Sequence, residues 1–172
     1  MILLGIDPGT AETGYGVITV QGSRLDAVDH GVITTSAGAP LELRLAHIFT
    51  QVSDLIERHA PASVALEDLF IGGNPRTILS VGHARGAVLT ACGRAGVAAT
   101  GYPPAEVKMT VCGFGRADKV QVQRMVVASL RLDRAPASDH AADALAVAIC
   151  HAGHANPAGE AARGRPLVGV AT

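Results

Sequence analysis

The chain has 172 residues, room for one ordinary domain at the usual size of roughly 100–200 residues. Hydrophobic residues make up 48% of it, yet no uncharged apolar run approaches the roughly 18 residues that a membrane span needs. The net charge of −1 conceals a division along the chain: residues 1–69 carry a net −6 and residues 70–135 a net +6, a pattern open to a mixed surface or to a basic face for a polyanion beside an acidic metal site. Cys92, Cys112 and Cys150 are widely spaced and form no CxxC, so neither a disulfide framework nor a structural zinc site is expected. The opening lacks a basic n-region and its apolar run stops at Gly5 and Asp7, too early for a secretion signal, which makes the cytosol the expected compartment.

In chain order, "ILLGID" (2–7), "TGYGVITV" (13–20) and "RLDAVDHGVITT" (24–35) read as three strands without intervening helices, an antiparallel meander. Apolar residues at 41, 45, 48, 52, 55 and 56 follow helical spacing until Pro61 stops the pattern. "ASVALE" (62–67) is a buried strand. Asn74 caps and Pro75 opens a helix that runs to about Arg94, ahead of Gly96. "VAATGY" (97–102) is a strand, "PAEVKMTV" a short helix ended by Gly113, and residues 117–130 another helix. Ser138 or Asp139 caps a last helix that reaches about His154. The final stretch, 156–172, mixes Pro, Gly and Ala without periodicity and reads as a flexible tail beyond one domain at 1–155. The order βββαβαβααα implies an α/β fold: a mixed five-stranded sheet, the meander joined to parallel strands, with helices on both faces.

Asp7 and Glu67 both end short apolar strands, and ligands bind at that edge of open α/β sheets. Two carboxylates placed there need cations nearby, because burying them uncompensated costs several kcal/mol or forces protonation. A divalent metal is one answer. His140 and Asp143, three residues apart in "SDHAADALAVAIC", share a helix face, while Ala142, Leu145 and Ile149 point the other way into a core.

The blocks "GIDPGTAETGYGVI", "VALEDLF", "NPRTILSVGHARGAV", "EVKMTVCGFGRADKVQVQRMV" and "DHAADALAVAICH" resemble, in order, those of the RuvC family of Holliday-junction endonucleases, which have a ribonuclease H-like fold. The resemblance covers residues 1 to about 155. It implies a nuclease that resolves four-way junctions in recombination and repair by paired symmetric nicks, leaving 5′-phosphate and 3′-hydroxyl ends. It implies a divalent-metal site with Asp7, Glu67 and Asp143 as carboxylate ligands and, at a position usually occupied by Asp, His140; Asp139 next to it is rotated by about 100° on a helix.

Two Mg²⁺ are the expected cofactors, and an imidazole ligand makes Mn²⁺ better tolerated. Protonation removes such a ligand, so activity is expected to decline as pH falls toward about 6. The resemblance further implies that Lys108 and Lys119 work on phosphates in the catalytic site, that Arg76 and Arg85 contact the DNA backbone, and that Phe70 stacks on an unpaired base. It implies a homodimer, for which helix 75–94 with Leu79, Val81, Val88 and Leu89 is the candidate interface, and the branch-migration proteins RuvA and RuvB as partners in the nucleoid of a bacterial cytosol.

"GIDPGT" also resembles the opening strand and phosphate loop of actin-like ATPases and sugar kinases. Those enzymes need two such domains, and 172 residues supply one. A silent nucleic-acid-binding module, and a nuclease acting on RNA or another branched DNA, share the remaining pattern.

Overall fold

The computed structural model describes residues 1–68 and 74–154. The element order is the expected one: β1 (Ile2–Asp7), β2 (Glu12–Gln21), β3 (Arg24–Thr34), α1 (Leu41–His59), β4 (Ser63–Glu67), α2 (Pro75–Ala95), β5 (Ala98–Tyr102), α3 (Pro104–Cys112), α4 (Lys119–Leu130) and α5 (Asp139–His154). The strands form one sheet in the order β3-β2-β1-β4-β5. β1, β2 and β3 pair antiparallel, while β1 with β4 and β4 with β5 pair parallel. The chain therefore brings the C-terminal ends of β1 and β4 side by side. The expected tail lies outside the described residues. Among the described residues no helix is long and apolar enough to cross a membrane.

Local chemistry explains the helix boundaries. Asn74 accepts a hydrogen bond from Arg76 N, Pro75 occupies the first turn, and Gly96 closes α2 in the left-handed conformation at φ 67°. Asp118 and Gln121 form a reciprocal capping box, so α4 begins at Lys119, two residues later than its sequence suggests. For α5, the Ser138 hydroxyl accepts from His140 N at 3.2 Å, which identifies Ser138 as the cap.

Strand alternation divides the core into two layers. Leu4, Ile6, Val17, Val64 and Leu66 face α1 and α2, where Ile48, Val52, Ala84 and Val88 meet them. Leu3, Ile18 and Ala65 face α3, α4 and α5. α5 runs through the middle of this second layer and is buried on nearly every side from Ala141 to His151, not along a single face. Alanine at 141, 142, 144, 146 and 148 keeps it slim enough to fit.

Gly14 and Gly16 sit inside β2, facing α5. A Cβ on Gly14 would strike the carbonyl of His140, one on Gly5 the carbonyl of Ala144, and one on Gly16 the side chain of Leu145. These glycines admit a helix at backbone distance. At the far end of α5 the buried His151 binds Ser63 Oγ through Nε2 at 2.7 Å and Tyr102 OH through Nδ1 at 2.8 Å, tying α5 to β4 and β5.

Gly14→Ala is expected to lose about 1–3 kcal/mol of stability in urea unfolding, because its methyl group displaces the first turn of α5. Gly38→Ala, where a Cβ meets nothing within 4 Å, is expected to be neutral or slightly stabilising. Equal stability of the two variants would contradict this packing.

Candidate active site

β1 delivers Asp7, β4 delivers Glu67, and the first turn of α5 delivers His140 and Asp143 to the same edge of the sheet. Their convergence is visible in their electrostatics. Burial pushes the Glu67 carboxyl up to about 8, with the negative charges of Asp7 and Asp143 and a hydrogen bond with Asp7 adding to it. Asp143 is raised as well, first by burial and then by Asp7. Such a cluster of buried like charges holds one or more protons unless a cation takes their place.

His140 Nδ1 lies 2.7 Å from Asp7 Oδ2, and its Nε2 lies 3.4 Å from Glu12 Oε2. Both ring nitrogens therefore face carboxylates. Asp139 points elsewhere: its oxygens take Lys119 Nζ at 2.9 Å and Gln123 Nε2 at 2.7 Å. It is held below the usual carboxylate range, chiefly by the hydrogen bond from Lys119. Of the two neighbours, His140 is the one that faces the cluster.

Lys108 lines a small cavity of about 30 Å³ together with Glu67, Val107, Val122 and Asp143. Its charge acts on Glu67 in the direction that favours the ionised carboxylate. Lys119 reaches the other side of the cluster, 3.9 Å from Asp143 Oδ2. Both lysines expected from the sequence thus border the carboxylates.

Arg85 is turned inward. It pairs with Asp68 Oδ1 at 2.7 Å and donates to the Glu67 carbonyl at 2.9 Å, with only 19% of its side chain exposed. Gly101 on the neighbouring strand leaves the room: a Cβ there would collide with Asp68 and Arg85. In this geometry Arg85 is an internal clamp that secures the end of β4 and the backbone of Glu67. Arg76 lies exposed in the first turn of α2. Phe70 lies outside the described residues.

Sequence reasoning missed Glu12 and the Arg85–Asp68 clamp. The period of two would have found the first: Glu12, Gly14 and Gly16 share one face of β2, and that face lies against α5. The clamp had no local signal, since Arg85 and Asp68 stand on different elements.

By donor chemistry the residues fit a hard divalent cation, with three carboxylates whose mutual repulsion a cation relieves and one imidazole. As they stand, no three His, Cys, Asp or Glu side chains among the described residues are set to hold one ion. The His140–Asp7 hydrogen bond must open for both to become ligands.

A β3-β2-β1-β4-β5 sheet with its second strand reversed, carrying acidic residues at the ends of the two central parallel strands and on the last helix, is that of a ribonuclease H-like nuclease. Residues 3–151 match the family model described as crossover junction endodeoxyribonuclease RuvC. A crossover junction endodeoxyribonuclease RuvC from Rubrobacter xylanophilus is 50% identical over 151 residues, 88% of this chain and 84% of the relative. The structure of Thermus thermophilus RuvC in complex with Holliday junction substrate aligns with a TM-score of 0.85 at 38% identity, covering 88% of this chain and 93% of that one. The yeast mitochondrial Holliday junction resolvase, 16% identical, shares the fold with a TM-score of 0.63 over 87% of this chain and 77% of its own. The chain belongs to the RuvC family of divalent-metal-dependent crossover junction endodeoxyribonucleases.

Glu67 sets a sign for stability against pH in the presence of chelator. Its folded value, about 8, lies above the ordinary 4.5, so the stability it contributes is complete below about 4.5 and lost as pH rises to about 8. Wild type in EDTA is expected to melt lower at pH 8.5 than at pH 5.5. Glu67→Gln is expected to remove most of that difference and to melt at least about 3 °C above wild type at pH 8.5. A Gln variant that melts below wild type at pH 8.5 would show that the carboxylates do not repel one another.

Proposed function

We propose that this chain resolves four-way DNA junctions by metal-dependent hydrolysis, placing two symmetric nicks that leave 5′-phosphate and 3′-hydroxyl ends. The observation that carries the reading is the assembly of Asp7, Glu67, Asp143 and His140 at one strand edge, with Glu67 raised by its acidic neighbours, in a chain of this family. Asp7, Glu67, Asp143 and His140 would hold two divalent ions, Mg²⁺ with Mn²⁺ also accepted. Ions held by these four side chains would supply activation of a water and charge stabilisation for the departing 3′ oxygen.

The chain's own residues do the rest. Lys108, beside Glu67 and Asp143, pairs with a phosphate oxygen and stabilises the charge that develops on it. Lys119 is half-exposed; it exchanges its pairing with Asp139 for the scissile strand and fixes the strand's position. Pro8 and Gly9 turn the chain away after Asp7. Thr13 Oγ1, donating to the Gly9 carbonyl at 2.7 Å, holds that turn so that the carboxylate stays at the edge. The Arg85 clamp keeps Glu67 in place from the opposite side. Arg76 contacts the DNA backbone, and Phe70 stacks on an unpaired base near the junction centre; family membership alone supports that role for Phe70.

Two symmetric cuts call for two equivalent sites, and we assign the second to another copy of this chain. Val88 lies in the core, so the apolar residues 79, 81, 88 and 89 do not form one free face. Leu79 and Leu89 are 62% and 41% exposed. Helical spacing places them with Gly82, Gly86 and Gly93 in a wedge of about 80°, and a Cβ on any of those glycines meets nothing within 4 Å. That face of α2 is the proposed dimer surface. The pairing with RuvA and RuvB in the bacterial nucleoid rests on family membership.

A synthetic mobile four-way junction incubated with Mg²⁺ or Mn²⁺ is expected to yield paired symmetric nicks, with a linear duplex left intact. Asp7→Asn is expected to lose at least about 10³-fold in rate while still binding the junction. Junction binding without cutting by wild type in either metal would contradict the proposed activity.

A further inference from the structure

The imidazole of His140 stands between two acids that arrive from different directions. Asp7, at the end of β1 and 15% exposed, takes the Nδ1 side at 2.7 Å; Glu12, at the start of β2 and half-exposed, takes the Nε2 side at 3.4 Å. The four-residue turn between those strands sets the pair of acids, since Asp7 pairs with Gly14 and Glu12 lies two residues before Gly14 on the same face. The Gly9 amide and carbonyl both meet the Thr13 hydroxyl, which anchors this turn. His140 is fixed from below, where its own carbonyl lies against Gly14. Its ring is therefore held at its backbone and met at both nitrogens.

A neutral imidazole carries one ring proton and one lone pair, and only the lone pair binds a metal. A metal-ligating histidine almost always donates its other N–H to a carboxylate, a carbonyl or water, and that partner fixes the tautomer and the ring's orientation. At His140 the nitrogen beside the acidic cluster is Nδ1. The proton must then sit on Nε2, and the group facing Nε2 is Glu12.

We propose that Glu12 is a positioning residue for His140: its carboxylate accepts the Nε2 proton and leaves Nδ1 free toward the divalent cation. This rests on the reading of His140 as a metal ligand. Glu12 touches neither substrate nor cation in this role, and it acts only through the ring.

Mn²⁺ binding to the purified full chain by calorimetry, with no DNA present, separates the possibilities. Glu12→Ala is expected to weaken Mn²⁺ binding about 10-fold or more. Glu12→Gln, which keeps an acceptor oxygen but no charge, is expected to recover most of that loss. In a His140→Asp background Glu12→Ala is expected to change little, because the ring through which it acts is gone. In ¹⁵N spectra of the Mg²⁺-loaded protein, the His140 ring is expected as the Nε2–H tautomer in wild type and as a mixture in Glu12→Ala.

If His140→Ala binds Mn²⁺ as wild type does, the ligand reading fails and the proposal falls with it. If His140→Ala weakens binding but Glu12→Ala does not, the ligand reading stands and the positioning role is overturned. Equal losses for Glu12→Ala and Glu12→Gln, persisting in the His140→Asp background, would reduce Glu12 to a distant charge and also overturn it.

Discussion

The close approach of α5 to β1 and β2 is the contact on which the rest of the structure depends. Side chains ordinarily hold a helix about 10 Å from a sheet, but the glycines at 5, 14 and 16 let the backbone of α5 settle directly on the two strands. That descent brings His140 and Asp143, on the first turn of the helix, level with Asp7 at the end of β1. The parallel pairing of β1 with β4 adds Glu67 alongside. Four chemically active side chains from three elements thus meet because three residues have no side chain at all.

The same contact creates an electrostatic problem that the fold does not solve by itself. Three carboxylates share one corner, and the cations near them are Lys108 and Lys119 on the rim. Burial and mutual repulsion keep Glu67 protonated near neutral pH, so the cluster costs the protein stability that well-packed neutral residues would not. Stability is invested elsewhere: in the two apolar layers, in the Tyr102–His151–Ser63 hydrogen bonds that hold the other end of α5, and in the Arg85–Asp68 pair that secures β4. Electrostatic repulsion concentrated at one edge and rigidity around it suit the proposed role of this edge in receiving a cation and then a phosphate.

Much of this is legible in the amino-acid sequence. Asn74, Pro75 and Gly96 announce both ends of α2, and the helical spacing from Leu41 ends where Pro61 requires; local signals of this kind are strong because capping and proline geometry involve only neighbouring residues. Asp7 and Glu67 stood out as charges at the ends of apolar runs, and the ordered motif blocks joined them to His140 and Asp143. What stayed hidden depends on partners distant in the chain. Gly14 and Gly16 fall in an expected strand, and their part in seating α5 shows only when the helix is seen against them. The pairing of Arg85 with Asp68 and the Glu67 carbonyl joins two elements and has no local signal. Helix α2 has apolar residues on several sides, and the burial of Ala84, Val88, Ala91 and Cys92 separates its core face from the side bearing Leu79 and Leu89. Glu12 carried a periodicity signal, but nothing in the sequence marked His140 as the group it would meet.

The central claim is that the acidic edge assembled by α5 is a divalent-cation site in which His140 gives up its hydrogen bond to Asp7. Anomalous diffraction from crystals of the full chain grown with Mn²⁺ tests it most directly. The account predicts anomalous density bounded by Asp7, Glu67 and Asp143, with the His140 ring turned so that Nδ1 faces the ion. Carboxylates left in place with no density between them, or an ion bound with the His140–Asp7 hydrogen bond intact, would contradict it.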